Sequence, residues 1–179
     1  MTPDIRQASP MEAGVVSNVL LEAARWLQEI GQPLWKAGEL LPDRLMADVK
    51  AGLFYLACVD GEAAGVFKMQ DEDALFWPDV PVGESIFIHR VAVRRKFAGG
   101  QVTMAMVDYA KQTAAVKGKR FLRLDCASRP KLCRIYERQG FLKHSEKQVG
   151  PYLVTRYQFE ITTANNRMEP TAFRSAAHA

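Results

Sequence analysis

A chain of 179 residues, 48% hydrophobic and 25% charged, can bury a full core without disulfides or a structural metal, which excludes wholesale disorder, collagen-like repeats and a stapled mini-protein. No run approaches the roughly 20 apolar residues of a membrane span. The opening Met1-Thr2-Pro3-Asp4 has neither a basic start nor an apolar run behind it, so the reading is a cytoplasmic protein with no membrane partner.

The net charge of +4 hides an asymmetry. Residues 1–85 hold 14 acidic and 6 basic side chains, whereas residues 86–147 hold 15 basic and 4 acidic. Opposite signs in the two halves suggest a polyanionic ligand on the second and a cationic one near the first. Cys58, Cys126 and Cys133 form no C-x-x-C pair and lie among apolar residues, so buried reduced thiols are expected. His89, His144 and His178 are too scattered to make a zinc site with them, and no metal is expected.

In chain order, Ser9-Pro10-Met11-Glu12 has the form of a capping box, with Ser as the cap, Pro at the first helical position and Glu three residues after the Ser. Val16, Val19, Leu20, Ala23, Trp26, Leu27 and Ile30 then recur at helical spacing as far as Gly31. A second helix follows Pro42 and ends near Gly52. Leu53 to Val59 and Ala64 to Met69 are β-prone runs on either side of Asp60-Gly61, which predicts a hairpin. Residues 71–83, with Asp71, Glu72, Asp73, Trp77, Pro78 and Pro81, read as an irregular acidic loop with aromatic residues in it.

A strand from Glu84 to Val93 leads through Arg94-Arg95-Lys96-Phe97-Ala98-Gly99-Gly100 to a helix from about Gln101 to Val116. Phe121 to Cys126 is a strand, Pro130 to Gly140 a helix, and Phe141 to His144 and Tyr152 to Ile161 close the sheet. The order predicts a mixed α/β sheet with helices on its faces, one domain over residues 1–161. Residues 162–179 lack periodicity and read as a floppy tail; a homodimer is the protein partnership left open for it.

A glycine pair between strand and helix lets the backbone turn tightly and aim amides at one spot, where the helix N-terminus adds partial positive charge. Arg94, Arg95 and Lys96 flank that spot, so phosphate is the expected ligand. An ordinary connection would use the same residues, and neither a P-loop nor a dinucleotide fingerprint is present.

These residues stand in a larger pattern: Val91-Ala92-Val93, Phe97-Ala98-Gly99-Gly100, Met106-Val107-Asp108-Tyr109-Ala110, LRLDC at Leu122 to Cys126, and Lys131-Leu132-Cys133-Arg134-Ile135-Tyr136-Glu137-Arg138-Gln139-Gly140-Phe141. In order and spacing it resembles the GNAT superfamily of acyl-CoA-dependent N-acetyltransferases over roughly residues 4–160. The resemblance implies an α/β fold with a largely antiparallel sheet of about seven strands, and acetyl-CoA as acetyl donor. It implies that the strand ending Val91, Ala92, Val93 binds the pantetheine arm, and that amides from Phe97 through Ala98, Gly99, Gly100, Gln101 and Val102 to Thr103 cradle the pyrophosphate. It also implies that Tyr136 protonates the departing thiolate. Where the family usually has R-x-x-G-x-[GA], this chain has Ala98-Gly99-Gly100-Gln101-Val102-Thr103, and Arg129 stands where an asparagine is often found; Arg94, Arg95 or Arg129 then supplies the cofactor-binding charge.

An amine of pKa about 10 is only about 0.1% neutral at pH 7, so acetyl transfer to it requires a base. Glu84, His89, or a carboxylate of the acidic loop acting through water are the candidates. Strict alternation puts Phe87, His89, Val91 and Val93 on one apolar face and Ile86, Ile88 and Arg90 on the other, where His89 equally suits a hydrogen-bonded core role. Tyr136 likewise suits simple packing and Glu84 a solvated strand end. The expected function is acetyl transfer to a primary amine of a small molecule by direct attack in a ternary complex. The alternatives are an acyl-CoA-binding module without transfer and, less favoured, nucleic-acid binding, against which the aromatic residues lie mainly in the acidic half.

Overall fold

The computed structural model describes residues 2–162, so the tail reading beyond that point lies outside the described residues. Seven strands form one sheet in the order β1-β2-β3-β4-β5-β7-β6. They are β1 (Asp4–Gln7), β2 (Phe54–Val59), β3 (Glu62–Gln70), β4 (Ser85–Val93), β5 (Phe121–Ala127), β6 (Leu142–Val149) and β7 (Tyr152–Glu160). All neighbours are antiparallel except β4 and β5. The mixed, largely antiparallel architecture is the one expected. The short strand β1 is an addition to it.

Helices α1 (Ala13–Glu29) and α2 (Pro42–Lys50) cover one face, and α3 (Gln101–Val116) and α4 (Pro130–Glu137) the other. Under α1 and α2 lie Val16, Val19, Leu20, Leu45, Val49, Phe54, Leu56 and Val66, all buried. Under α3 and α4 lie Phe67, Ile86, Ile88, Met106, Leu122, Leu124, Phe141 and Tyr157. Each such side chain contributes about 1.5–3 kcal/mol of burial, and together they fix which face each strand turns to each helix. Gly65 on β3 lies so close to α3 that an added Cβ would sit 2.9 Å from Val102 Cγ1 and 3.2 Å from Met106 Sδ.

The capping box is present in modified form. Ser9 N–H donates to Glu12 Oε2 (2.9 Å), a 3-10 turn covers Pro10–Glu12, and the α-helix starts at Ala13. Arg6 clamps the same carboxylate at 2.6 Å and 2.8 Å and holds it well below its usual range, at about 2. The three cysteines are free thiols, as expected, with Cys126 Sγ and Cys133 Sγ 3.9 Å apart between β5 and α4. Among the described residues no helix is long and apolar enough to cross a membrane.

Candidate active site

Two departures from regular pairing in β4 create the site. The first is its partnership with β5, which runs from Ser85 opposite Phe121 only as far as Ile88 opposite Leu124. Beyond it the strands part, β5 stays paired with β7, and the β5-facing edge of His89–Val93 is left without a strand partner. Unpaired backbone donors and acceptors along such an edge are a template for an extended polar ligand.

The second departure is a bulge. Lys68 pairs with His89 but Val66 pairs with Ala92, so two steps along β3 span three along β4. Arg90 sits in the extra position with φ of +54°. The additional residue corrects the strict alternation expected from sequence. Phe87 and His89 face the α1/α2 side, but Val91 and Val93 pack against the α3/α4 core with Ile86 and Ile88, and Ala92 joins the α1/α2 core.

The bulge also changes what His89 meets. Its Nε2 lies 3.2 Å from Asp73 Oδ2 and its Nδ1 lies 3.6 Å from Asp125 Oδ1. Neither approach is aligned as a hydrogen bond, and Asp73 Oδ2, His89 Nε2 and Asp125 Oδ1 are all buried without a partner. His89 is therefore not a satisfied core histidine. Asp73 is held by its loop, its Oδ1 accepting from the N–H groups of Leu75 (3.2 Å) and Phe76 (3.0 Å). Burial pushes its carboxyl up, yet His89 and these amides outweigh that and leave it below its usual value. Asp125 lacks such amides in number. Burial pushes its carboxyl up to about 6, with His89 pulling it down and Asp73 adding to the rise.

The three ligand atoms lie within 4.8 Å of one another. A single cation takes one lone pair of an imidazole, whereas here the ring meets the two carboxylates through opposite nitrogens, so the cluster reads as one that shares protons.

The acidic loop is pinned rather than loose. Trp77 is buried against Phe87 and His144, and Asp79 pairs with Arg156 at 2.5 Å and 2.9 Å. Asp73 is a carboxylate of the acidic loop, among which a base acting through water is one expectation, and it lies beside His89. Asp125 is a member of the site that sequence reasoning misses, being visible there only as a letter of the LRLDC strand. The available signal is that it lies in phase with Arg123, opposite Leu122 and Leu124.

Glu84 is placed elsewhere. Its carboxylate binds Arg123 Nη1 at 2.7 Å at the start of β4, in the half still paired with β5, and the structure does not bring it to His89. Tyr136 lies on the opposite face from His89, buried in the α3/α4 core with its ring edge-on to Phe141. Burial raises its hydroxyl pKa well above the usual value, and Cys126, Asp125 and Cys133 add to the rise, so it is a neutral proton donor throughout the physiological range.

At the mouth of the gap, Gly99 and Gly100 take φ of +138° and +95°, a conformation that a side chain would strain, and α3 starts immediately after. The N–H groups of Gln101, Val102 and Thr103 belong to the first helical turn, which has no intrahelical acceptor for them. The surrounding cations are engaged. Arg94 binds Glu22 (2.5 Å) and the Ala63 carbonyl (2.8 Å), Arg95 stacks 3.8 Å from the Trp26 ring centroid, Lys96 pairs with Glu62, and Arg129 donates to the carbonyls of Gln32 (2.8 Å) and Pro33 (2.7 Å). What the loop offers an anion is chiefly backbone.

The sequence pattern of the acetyltransferase (GNAT) family matches residues 20–141, which include the gap, the glycine-fronted helix and α4. The chain belongs to that family. It is an acetyltransferase, and acetyltransferases of the family use acetyl-CoA. It is 28% identical over 138 residues to the uncharacterized N-acetyltransferase YesJ of Bacillus subtilis (strain 168), covering 73% of this chain and 76% of YesJ. A GNAT-family acetyltransferase structure from Listeria monocytogenes 4b F2365 superimposes with a TM-score of 0.74 at 24% identity, over 88% of this chain and 94% of that one. The structure of yncA, a putative acetyltransferase from Salmonella typhimurium with its cofactor acetyl-CoA, matches with a TM-score of 0.68 at 15% identity, over 90% and 95% of the two chains.

Proposed function

We propose that this acetyltransferase moves the acetyl group of acetyl-CoA to a primary amine of a small molecule by direct attack in a ternary complex, with His89 as general base. The observation that carries the reading is the buried, unpartnered Asp73–His89–Asp125 cluster at the point where β4 leaves β5. In this reading the pantetheine arm lies along Val91, Ala92 and Val93, and the diphosphate sits on the amides from Phe97 to Thr103. A helix N-terminus stabilises such a charge without needing a free arginine.

His89 takes the proton of the incoming ammonium, and the neutral nitrogen attacks the thioester carbonyl carbon. The C–N bond forms, the C–S bond breaks, the sulfur leaves with the proton of the Tyr136 hydroxyl, and the second proton that the nitrogen sheds as the amide forms restores that hydroxyl by way of solvent. Asp73 and Asp125 act as positioning residues, flanking the imidazole at its two nitrogens. The three free cysteines suit a reducing cytoplasm.

A second reading, acyl-CoA binding without transfer, draws support from Ala98, Gln101 and Thr103 in the loop and from the engaged arginines around it. Calorimetry with CoA together with thiol release from acetyl-CoA over a broad amine panel separates the two. Transfer predicts uptake of CoA and amine-dependent thiol release, and Tyr136→Phe lowers turnover about 10²-fold with CoA affinity kept. CoA uptake with no thiol release over the whole panel would replace the transferase reading by the binding one.

A further inference from the structure

The guanidinium of Arg90 is a further unsatisfied group, on the residue next to His89. Its Nη1 is buried without a hydrogen-bond partner. The nearest carboxylate, Glu39 Oε2, is 3.9 Å away and half exposed, and Asp48, the next, gives its oxygen to Lys68 Nζ at 2.7 Å. Four other arginines of the domain are tied down. Arg94 and Arg156 each bind a carboxylate and a carbonyl, Arg123 binds Glu84 and Ser85, and Arg129 binds two carbonyls. Burying a guanidinium without such partners is costly, so a site that keeps one open is poised for an anion.

The backbone adds to this. A left-handed φ is uncommon for a residue that is not glycine, asparagine or aspartate. Of the two such non-glycine positions among the described residues, Asp60 serves a hairpin turn, whereas Arg90 occupies the bulge inside β4. Strain of this kind concentrates where it positions a side chain. Its effect is that consecutive residues project to the same side of the sheet: His89 toward Asp73 and Asp125, and Arg90 toward Trp35 (5.7 Å to the ring centroid) and Glu39 from the segment between α1 and α2.

Two unpartnered sets of opposite sign thus stand side by side without pairing to each other. One is carboxylate and imidazole, suited to an amine; the other is a guanidinium, suited to a carboxylate in bidentate fashion. We propose that Arg90 binds the carboxylate of the acceptor, so that the acceptor is an amino acid, its amine at the His89 cluster and its carboxylate at Arg90. This rests on the transferase reading above and narrows it to zwitterionic substrates.

The test compares free amino acids with amines of the same skeleton lacking the carboxylate, phenylalanine with phenethylamine for instance, in wild type, Arg90→Gln and Arg90→Lys. Wild type is expected to prefer the amino acid by about 10²-fold or more in kcat/KM, since a site built around a buried polar group rejects the analogue that leaves it unpaired. In Arg90→Gln that preference collapses toward unity, carried mainly by KM. Arg90→Lys, which keeps charge and loses the fork, falls between. Glu39→Gln, a surface change that removes the competing carboxylate, lowers KM for the amino acid and serves if the Arg90 variants fold poorly. Equal use of both amine sets by wild type, or an unchanged preference in Arg90→Gln, overturns the proposal while leaving the transferase reading intact. If no amine of either set releases thiol, the transferase reading fails, and calorimetry of amino acids into CoA-saturated protein decides for Arg90 separately: absence of Arg90-dependent binding overturns it.

Discussion

The two halves of β4 differ less in composition than in how completely their polar groups are paired. In the first half Arg123 is buried, yet its guanidinium meets Glu84 and Ser85, and every backbone position from Ser85 to Ile88 has a partner on β5. Four residues further on, Asp73 is buried and His89, Asp125 and Arg90 are half-buried, and each retains a buried atom with nothing to bond. Buried polar groups are normally satisfied, so the contrast separates a seam that holds the sheet together from an opening built to receive something. Charge and burial alone would have marked both halves as sites.

The contrast is broken most directly at His89. His89→Gln is expected to reduce kcat by about 10²–10³-fold at pH 7 with CoA affinity unchanged, since a positioned base contributes on that order; a calorimetric titration beside steady-state kinetics checks both halves of the statement. Retained turnover would move the base elsewhere. Asp125→Asn tests the same cluster through stability. A carboxyl raised to about 6 in the folded chain, against an ordinary 3.8, penalises the folded state once it must ionise. The sign is that wild type is favoured at low pH and loses ground as pH rises through 6. The asparagine variant is therefore expected to gain up to about 3 kcal/mol over wild type at pH 8, two pKa units' worth, and nothing at pH 3. Thermal melts across that range read the difference. The seam gives the smallest effect: Glu84→Gln should leave kcat within about twofold and cost about 1 kcal/mol, because the neutral amide still accepts from Arg123. A large kinetic loss there, with His89→Gln silent, would invert the comparison.

Much of this is legible in the sequence. The hairpin around Asp60-Gly61, the helix punctuation at Pro42 and Gly118, and the run of strand, glycine pair and helix follow from local chemistry, and the structure places them within a residue or two. What escapes shares one cause: it depends on pairing between distant segments. The four-residue strand β1, exposed but for the half-buried Ile5, has no periodicity of its own and exists because β2 offers it an edge. The bulge leaves no mark in the alternating letters around Arg90; it appears only when Val66 and Lys68 are set against Ala92 and His89. Strict alternation therefore puts His89 on an apolar face. Asp125 does not stand out, since its neighbour across the gap is known only once β4 and β5 are laid parallel. Arg129 carries a charge in the right region, but its reach to the carbonyls of Gln32 and Pro33 is a long-range contact.

Gly65 sits behind all of this, on β3 opposite Val93. Its missing side chain lets the first turn of α3 lie flush on the sheet at Val102, and Val102 is also one of the residues whose N–H groups have no intrahelical acceptor. The seat of that helix end is thus set from the rear by one hydrogen atom. A methyl there would meet Val102 Cγ1, Met106 Sδ and, at 3.0 Å, the Ala92 carbonyl oxygen, so either the helix end or the strand beneath it would have to give, and in the proposed reading both serve the cofactor.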